Sequence, residues 1–154
     1  MCIRDSLHLA AAPKLTAGLI KAKAICIAYE TVTDKNNRLP LLAPMSAVAG
    51  RMSIQAGAHS LEKTQNGRGL LLGGAPGVEP CNVLILGGGV VGENAAIIAA
   101  GMKATVSIVD KSPQRLKELH SKFGDAIIPL QSDEVDLQKH IQDCDLLILS
   151  LIHI

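Results

Sequence analysis

The sequence has no tryptophan, one phenylalanine (Phe123) and one tyrosine (Tyr29), so its core must be assembled from Leu, Ile, Val and Ala. Aliphatic cores of that kind suit helices packed closely on a parallel sheet. No apolar run reaches the roughly 18 residues that cross a bilayer, and the N-terminus has no basic region followed by an apolar stretch. A membrane partner is therefore not expected, and the cytoplasm is the expected compartment. Charge of one sign is not in excess either: 15 Lys and Arg against 14 Asp and Glu leave +1. The cations are scattered, which gives no electrostatic footprint for nucleic acid. Cys2, Cys26, Cys81 and Cys144 form no CxxC pair, so neither a metal site nor a disulfide framework is expected. What remains is a chain 48% hydrophobic and 19% charged, the composition of a globular domain.

The two ends stand apart from the rest. Met1-Cys2-Ile3-Arg4-Asp5-Ser6 is encodable by ATGTGTATAAGAGACAG plus one base, and the reverse complement of that string encodes Leu149-Ser150-Leu151-Ile152-His153-Ile154. The string resembles a transposase adapter from sequencing libraries. Residues 1–6 and 149–154 are therefore expected to be non-native and to take no part in the fold, with a parent protein extending beyond both.

Between them, apolar Leu15, Leu19 and Ile20 after Pro13 predict a short helix to Lys23, followed by a strand from Ile25 to Val32 and a turn at Asp34-Lys35-Asn36-Asn37. Pro44-Met45-Ser46 opens a stretch expected to be helical to about Leu61, with Ser46 able to cap it. A glycine-rich connector follows, from Gly67 to Gly77. Beyond it strands near 83–86, 105–109, 126–130 and 145–148 alternate with helices near 90–101, 112–122 and 134–142. Such alternation implies one parallel sheet with helices on both faces, a three-layer α/β unit over about 41–148.

Gly87, Gly89 and Gly92 form GxGxxG directly after the first of these strands and at the start of a helix. Gly87 permits the tight turn, Gly89 lets the backbone approach a pyrophosphate, and Gly92 lets helix and strand pack. The N–H groups of Val90 and Val91 point at the anion, aided by the helix dipole. Asp110 ends the second strand, 18 residues beyond Gly92. A carboxylate there accepts hydrogen bonds from the adenosine ribose and repels a 2′-phosphate, which favours NAD over NADP; Lys111 and Arg115, cations near that edge, argue the other way. The expected fold is a partial doubly wound (Rossmann) parallel sheet preceded by the tail of another domain.

Several stretches together resemble the alanine dehydrogenase family: Leu7-His8-Leu9-Ala10, Ala28-Tyr29-Glu30-Thr31-Val32, Leu39 to Ser46, Val48-Ala49-Gly50-Arg51-Met52, Gly74 to Val78, and Gly87 to Ala96. The resemblance implies NAD-dependent oxidative deamination of L-alanine to pyruvate and ammonia, in a parent that is a homo-oligomer, commonly a hexamer. His8 matches the family's active-site histidine, which bonds the substrate and manages the proton of the reacting centre. Ser46 matches a residue that contacts the cofactor phosphates, and Asp110, Arg115 and Ser132 match positions around the adenosine half. Read without the resemblance, His8 is a surface histidine, Ser46 a helix cap, Arg115 a solvated charge, Ser132 a loop hydroxyl and Glu30 a strand-end charge. His59, His120 and His140 fall in helical stretches and are expected at the surface.

The family's substrate-binding arginine and lysine lie before His8 and its remaining active-site loops beyond Ile148, so the chain alone is expected to be inactive. Two other readings stand beside this one: the α subunit of nicotinamide nucleotide transhydrogenase, and a non-catalytic NAD-binding module.

Overall fold

The computed structural model describes residues 2–150. The chain divides into two compact units, Met1–Ser46 and Ala47–Ile154. The division falls inside a helix, beyond the boundary expected at 40/41.

In the first unit, strand β1 (Cys2–Asp5) pairs in parallel with β2 (Ile25–Ala28), from Cys2 opposite Ile25 to Asp5 opposite Ala28, and helix α1 (Pro13–Lys21) connects them. Pro13 sits in the first turn of α1, where its missing N–H costs nothing. The hexapeptide expected to stand outside the fold is thus partly strand. A parallel ladder is made by backbone groups, and the edge of β2 offers a free row of them to any extended segment. The strand expected to reach Val32 stops at Ala28, because Tyr29–Thr31 winds into a 3-10 turn. The Thr31 hydroxyl donates to the Ala28 carbonyl at 3.0 Å, a local bond that competes with the ladder. The Asp34 turn forms as expected, with Asn36 and Arg38 N–H donating to Asp34 Oδ1 at 2.8 and 2.9 Å.

Helix α2 (Ala43–Ser60) begins three residues before Ser46, which is therefore not its cap. Ser46 lies in the first turn, its N–H donating to the Leu42 carbonyl at 2.9 Å. Pro44, which suggested a boundary, is tolerated inside that turn.

The second unit carries a four-stranded parallel sheet in the order β5-β4-β3-β6. Its strands are β3 (Asn82–Leu86), β4 (Thr105–Asp110), β5 (Ile128–Gln131) and β6 (Leu146–Leu149). They are joined by α3 (Val90–Gly101), α4 (Pro113–Phe123) and α5 (Leu137–Asp143). The chain steps outward from β3 to β4 to β5 and then crosses back to β6. With right-handed crossovers this puts α3 and α4 on one face and α5 on the other, the three layers expected. Pro129 is accommodated because β5 is an edge strand. Strand β5 starts later than expected, after a 3-10 turn over Gly124–Ala126, and α5 starts later because Asp136 caps it through Lys139 N–H at 3.1 Å.

The core is aliphatic, as the composition requires. Val83, Ile85, Val106, Ile108 and Ile148 of the strands meet Ile54 of α2, Ala95, Ala96 and Ala99 of α3, and Leu119 of α4, all buried. Three alanines on one face let α3 lie close to the sheet. Leu149 closes β6 and the Ser150 N–H donates to Leu86 O at 2.9 Å, so the expected non-native tail contributes its first two residues here, while residues 151–154 lie outside the described residues.

Candidate functional site

At the C-terminal edge of the sheet, β3 runs into the glycine turn. Gly87 has φ +98°, a backbone region that favours glycine, and its N–H donates to the Val109 carbonyl at 2.8 Å, tying the turn to β4. A Cβ on Gly92 would overlap the Gly87 carbonyl oxygen, so only glycine lets α3 pack back on the turn. Gly89 differs from both. Its φ of −67° is open to any residue, and a Cβ there would meet no protein atom within 4 Å. No contact among the described residues requires glycine at Gly89.

That space faces the start of α3. No side chain caps the helix, and the first N–H to find a partner within it is that of Glu93, donating to Gly89 O at 2.9 Å. The preceding N–H groups, including those of Val90 and Val91, are oriented as an anion site requires. The helix start is braced from α2: Arg51 Nε donates to Asn94 Oδ1 at 3.0 Å, and Asn94 Nδ2 donates to the Val90 carbonyl at 2.9 Å.

Asp110, half-buried at the end of β4, accepts from Gly88 N–H at 2.7 Å and from Ser112 N–H at 2.8 Å, one bond to each oxygen. Each carboxylate oxygen keeps a further lone pair for an external hydroxyl. Ser132, at the end of β5, donates its N–H to the Asp110 carbonyl at 3.1 Å, which places it on the same edge of the sheet. Arg115 is on α4, whose cap Ser112 accepts the Arg115 N–H at 3.2 Å. It is not a solvated charge. Its Nε donates to Gly88 O at 2.6 Å, one terminal nitrogen pairs with Glu118 at 3.1 Å, and the other pairs with Glu93. Glu93 also pairs with Lys122. Partial burial pushes the Glu93 carboxyl pKa up, but Lys122 and Arg115 more than offset this and hold it below the usual carboxylate range.

His8 and Ser46 belong to the first unit. His8 is exposed, with φ +46°, and its ring makes no hydrogen bond among the described residues. Its backbone is held instead: Glu30 Oε1 accepts the His8 N–H at 2.7 Å and the Leu7 N–H at 3.1 Å. Glu30 is thus the clasp of the His8 turn rather than a plain strand-end charge. Its own backbone N–H and that of His8 lower its pKa, burial opposes them, and Leu7 adds to the lowering. His59 and His120 are exposed as expected, whereas His140 is half-buried and lines a cavity of about 170 Å³ with Asn82, Ser107, Asp143 and Cys144.

The sequence did not single out Glu93, Arg51 or Asn94, because each acts through a partner far along the chain. Gly88 passed as the middle of a glycine triplet. Its backbone carries both the Asp110 and the Arg115 contacts, and a Cβ there would press on Leu119 Cδ1 at 2.7 Å.

Comparison with known proteins agrees with this geometry. Residues 2–49 match the Alanine dehydrogenase/PNT N-terminal domain and residues 53–153 the Alanine dehydrogenase/PNT C-terminal domain. Over 142 residues the chain is 53% identical to the alanine dehydrogenase of Halomonas elongata and 52% identical to that of Methanococcus maripaludis. Each alignment covers 92% of this chain and 38% of the relative, so the chain spans under two-fifths of the length of the curated proteins it matches. A solved L-alanine dehydrogenase superposes with a TM-score of 0.89 at 47% identity, over 99% of this chain and 42% of that one. A transhydrogenase from Sinorhizobium meliloti shares the fold at 16% identity, with a TM-score of 0.71. By the match of both its halves, the chain belongs to the alanine dehydrogenase/PNT family.

Proposed function

We propose that the full-length protein containing this chain is an NAD-dependent L-alanine dehydrogenase, converting L-alanine, NAD+ and water to pyruvate, ammonium, NADH and a proton. The observation that carries the cofactor half of this reading is the room a Cβ would find at Gly89, a glycine that no contact among the described residues demands, at the start of a helix without a side-chain cap. Relatives about half identical in sequence and called alanine dehydrogenase support the substrate half.

In this reading the N–H groups of Val90, Val91 and Gly92 would hold the pyrophosphate beside Gly87 and Gly89, with the helix dipole favouring its charge. Asp110, Arg115 and Ser132 would border the adenosine half: the free lone pairs of Asp110 would accept the ribose hydroxyls, and Arg115 also fixes the Gly88 peptide. By the resemblance alone, Ser46 is assigned to the cofactor phosphates. NAD, when bound, supplies the hydride acceptor. His8 bonds the substrate and takes up or returns the proton at the reacting carbon's nitrogen or oxygen, with Glu30 fixing the backbone from which the ring projects. By the same resemblance we expect the full-length protein to assemble as a homo-oligomer, commonly a hexamer in this family, and we place it in the cytoplasm.

The test is NADH formation by the purified full-length protein. L-alanine with NAD should give turnover that His8→Ala abolishes. Turnover on other amino acids at rates equal to that on alanine would contradict the substrate, and an active His8→Ala variant would contradict the role of His8. The 154-residue chain alone should give no turnover, since an exposed, unbonded imidazole cannot be held in an attack geometry where about 1 Å of misplacement costs on the order of 100-fold.

A further inference from the structure

Asp110 and Arg115 hold one peptide from its two ends: the Gly88 N–H donates to the carboxylate at 2.7 Å, and the Gly88 carbonyl accepts from the guanidinium at 2.6 Å. The same cation therefore stands beside the ribose edge that Asp110 defines. A guanidinium there, left unpaired, is the group that would welcome a 2′-phosphate. It is not unpaired. Its remaining nitrogens face Glu93 and Glu118, and Glu93 reaches on to Lys122. The Arg115 and Glu93 side chains are only 29% and 21% exposed, so solvent screens this pair less than an ordinary surface bridge.

We infer that Glu93 is a specificity-determining residue for the dinucleotide: by pairing with Arg115 and Lys122 it offsets, together with Glu118, both cations and leaves the carboxylate of Asp110 in excess at the ribose edge, so that a cofactor carrying a 2′-phosphate is rejected. The inference rests on the dinucleotide reading above. Three carboxylates, those of Asp110, Glu93 and Glu118, oppose the two cations as the cluster stands; without the charge of Glu93 the two signs balance. Glu118 cannot replace it, because it is the more exposed partner at 52% and, among the described residues, pairs with no cation but Arg115. Lys111 makes no ion pair among the described residues and is the same in every arm of the test.

The test is the Kd of NADH and of NADPH, by fluorescence titration of the full-length protein, for wild type, Glu93→Gln, Glu93→Gln with Arg115→Met, and Lys122→Glu. Wild type should prefer NADH. Glu93→Gln keeps the side chain's shape and removes its charge; the preference should fall by about tenfold, chiefly through tighter NADPH binding, and the gain should shrink at high salt. Adding Arg115→Met should reverse the gain, because the freed guanidinium is its source. Lys122→Glu, on an exposed position, should shift the preference the other way by about threefold. An unchanged ratio in Glu93→Gln that still binds NADH would overturn the inference, as would a ratio unmoved by Lys122→Glu should Glu93→Gln not fold. A wild-type protein that binds neither cofactor would overturn the dinucleotide reading itself, a result distinct from binding without discrimination.

Discussion

Residues 47–150 bury Ile54, Ile85, Ala95 and Ile108 completely, whereas residues 2–46 contain no buried side chain among those described. In the first of these regions the glycine turn sits on a packed sheet, and its geometry is fixed by atoms that cannot move without opening the core. In the second, His8 is held by two backbone hydrogen bonds to one carboxylate. Packing positions one candidate site and polar contacts position the other. The two should respond differently to the same kind of change.

The largest effect is expected at Gly92. A Leu there must displace the Gly87 carbonyl, and the variant should lose about 3 kcal/mol or more of stability, read as a shift in the denaturation midpoint. Ile85→Ala in the sheet should cost about 3 kcal/mol, while Ile27→Ala, 39% exposed in the first unit, should cost less than about 1 kcal/mol. Equal losses at the two isoleucines would erase the contrast between the regions. Glu30→Ala releases the Leu7 and His8 N–H groups; in the full-length protein kcat should fall by about tenfold, with the Kd for NADH unchanged and Glu30→Gln recovering part of the loss. A matching loss of cofactor affinity would show that Glu30 does more than position His8. The smallest effect concerns pH. The Glu93 carboxyl pKa is depressed in the folded state, so its stabilisation is complete above the unfolded value of about 4.3 and is lost as pH falls through the folded value below it. Glu93→Gln should flatten the acid side of the stability curve, and an identical curve would remove Glu93 from the account.

Local periodicity made the second unit legible. Strand β3 and helix α3 follow from an apolar run, a glycine turn and an alanine-rich helix, and α3 begins and ends at the residues expected. Boundaries moved where a short-range polar contact decided them: the Thr31 hydroxyl ended β2, and the Asp136 cap delayed α5. Ser46 was misread as a cap because Pro44 is as acceptable inside a first turn as before it. At the site, Gly87, Gly89, Gly92 and Asp110 carry their chemistry in their spacing. Arg115 was visible only as a cation, since its partners Gly88 and Glu93 lie 27 and 22 residues away. Contacts over such separations exist only after the sheet has brought β3 and β4 together.

The most direct test of the account sets Gly89 against its neighbour. Gly89 and Gly92 are three residues apart in one motif, yet a Cβ at Gly92 strikes protein and one at Gly89 meets nothing among the described residues. Denaturation and NADH binding should therefore be measured together on Gly89→Leu of the full-length protein. The account predicts a denaturation midpoint close to wild type and NADH affinity weakened by about 100-fold or more, the loss expected when a side chain fills the pyrophosphate's place. Wild-type affinity with an unchanged midpoint would contradict it, because the space over Gly89 would then hold no part of the cofactor.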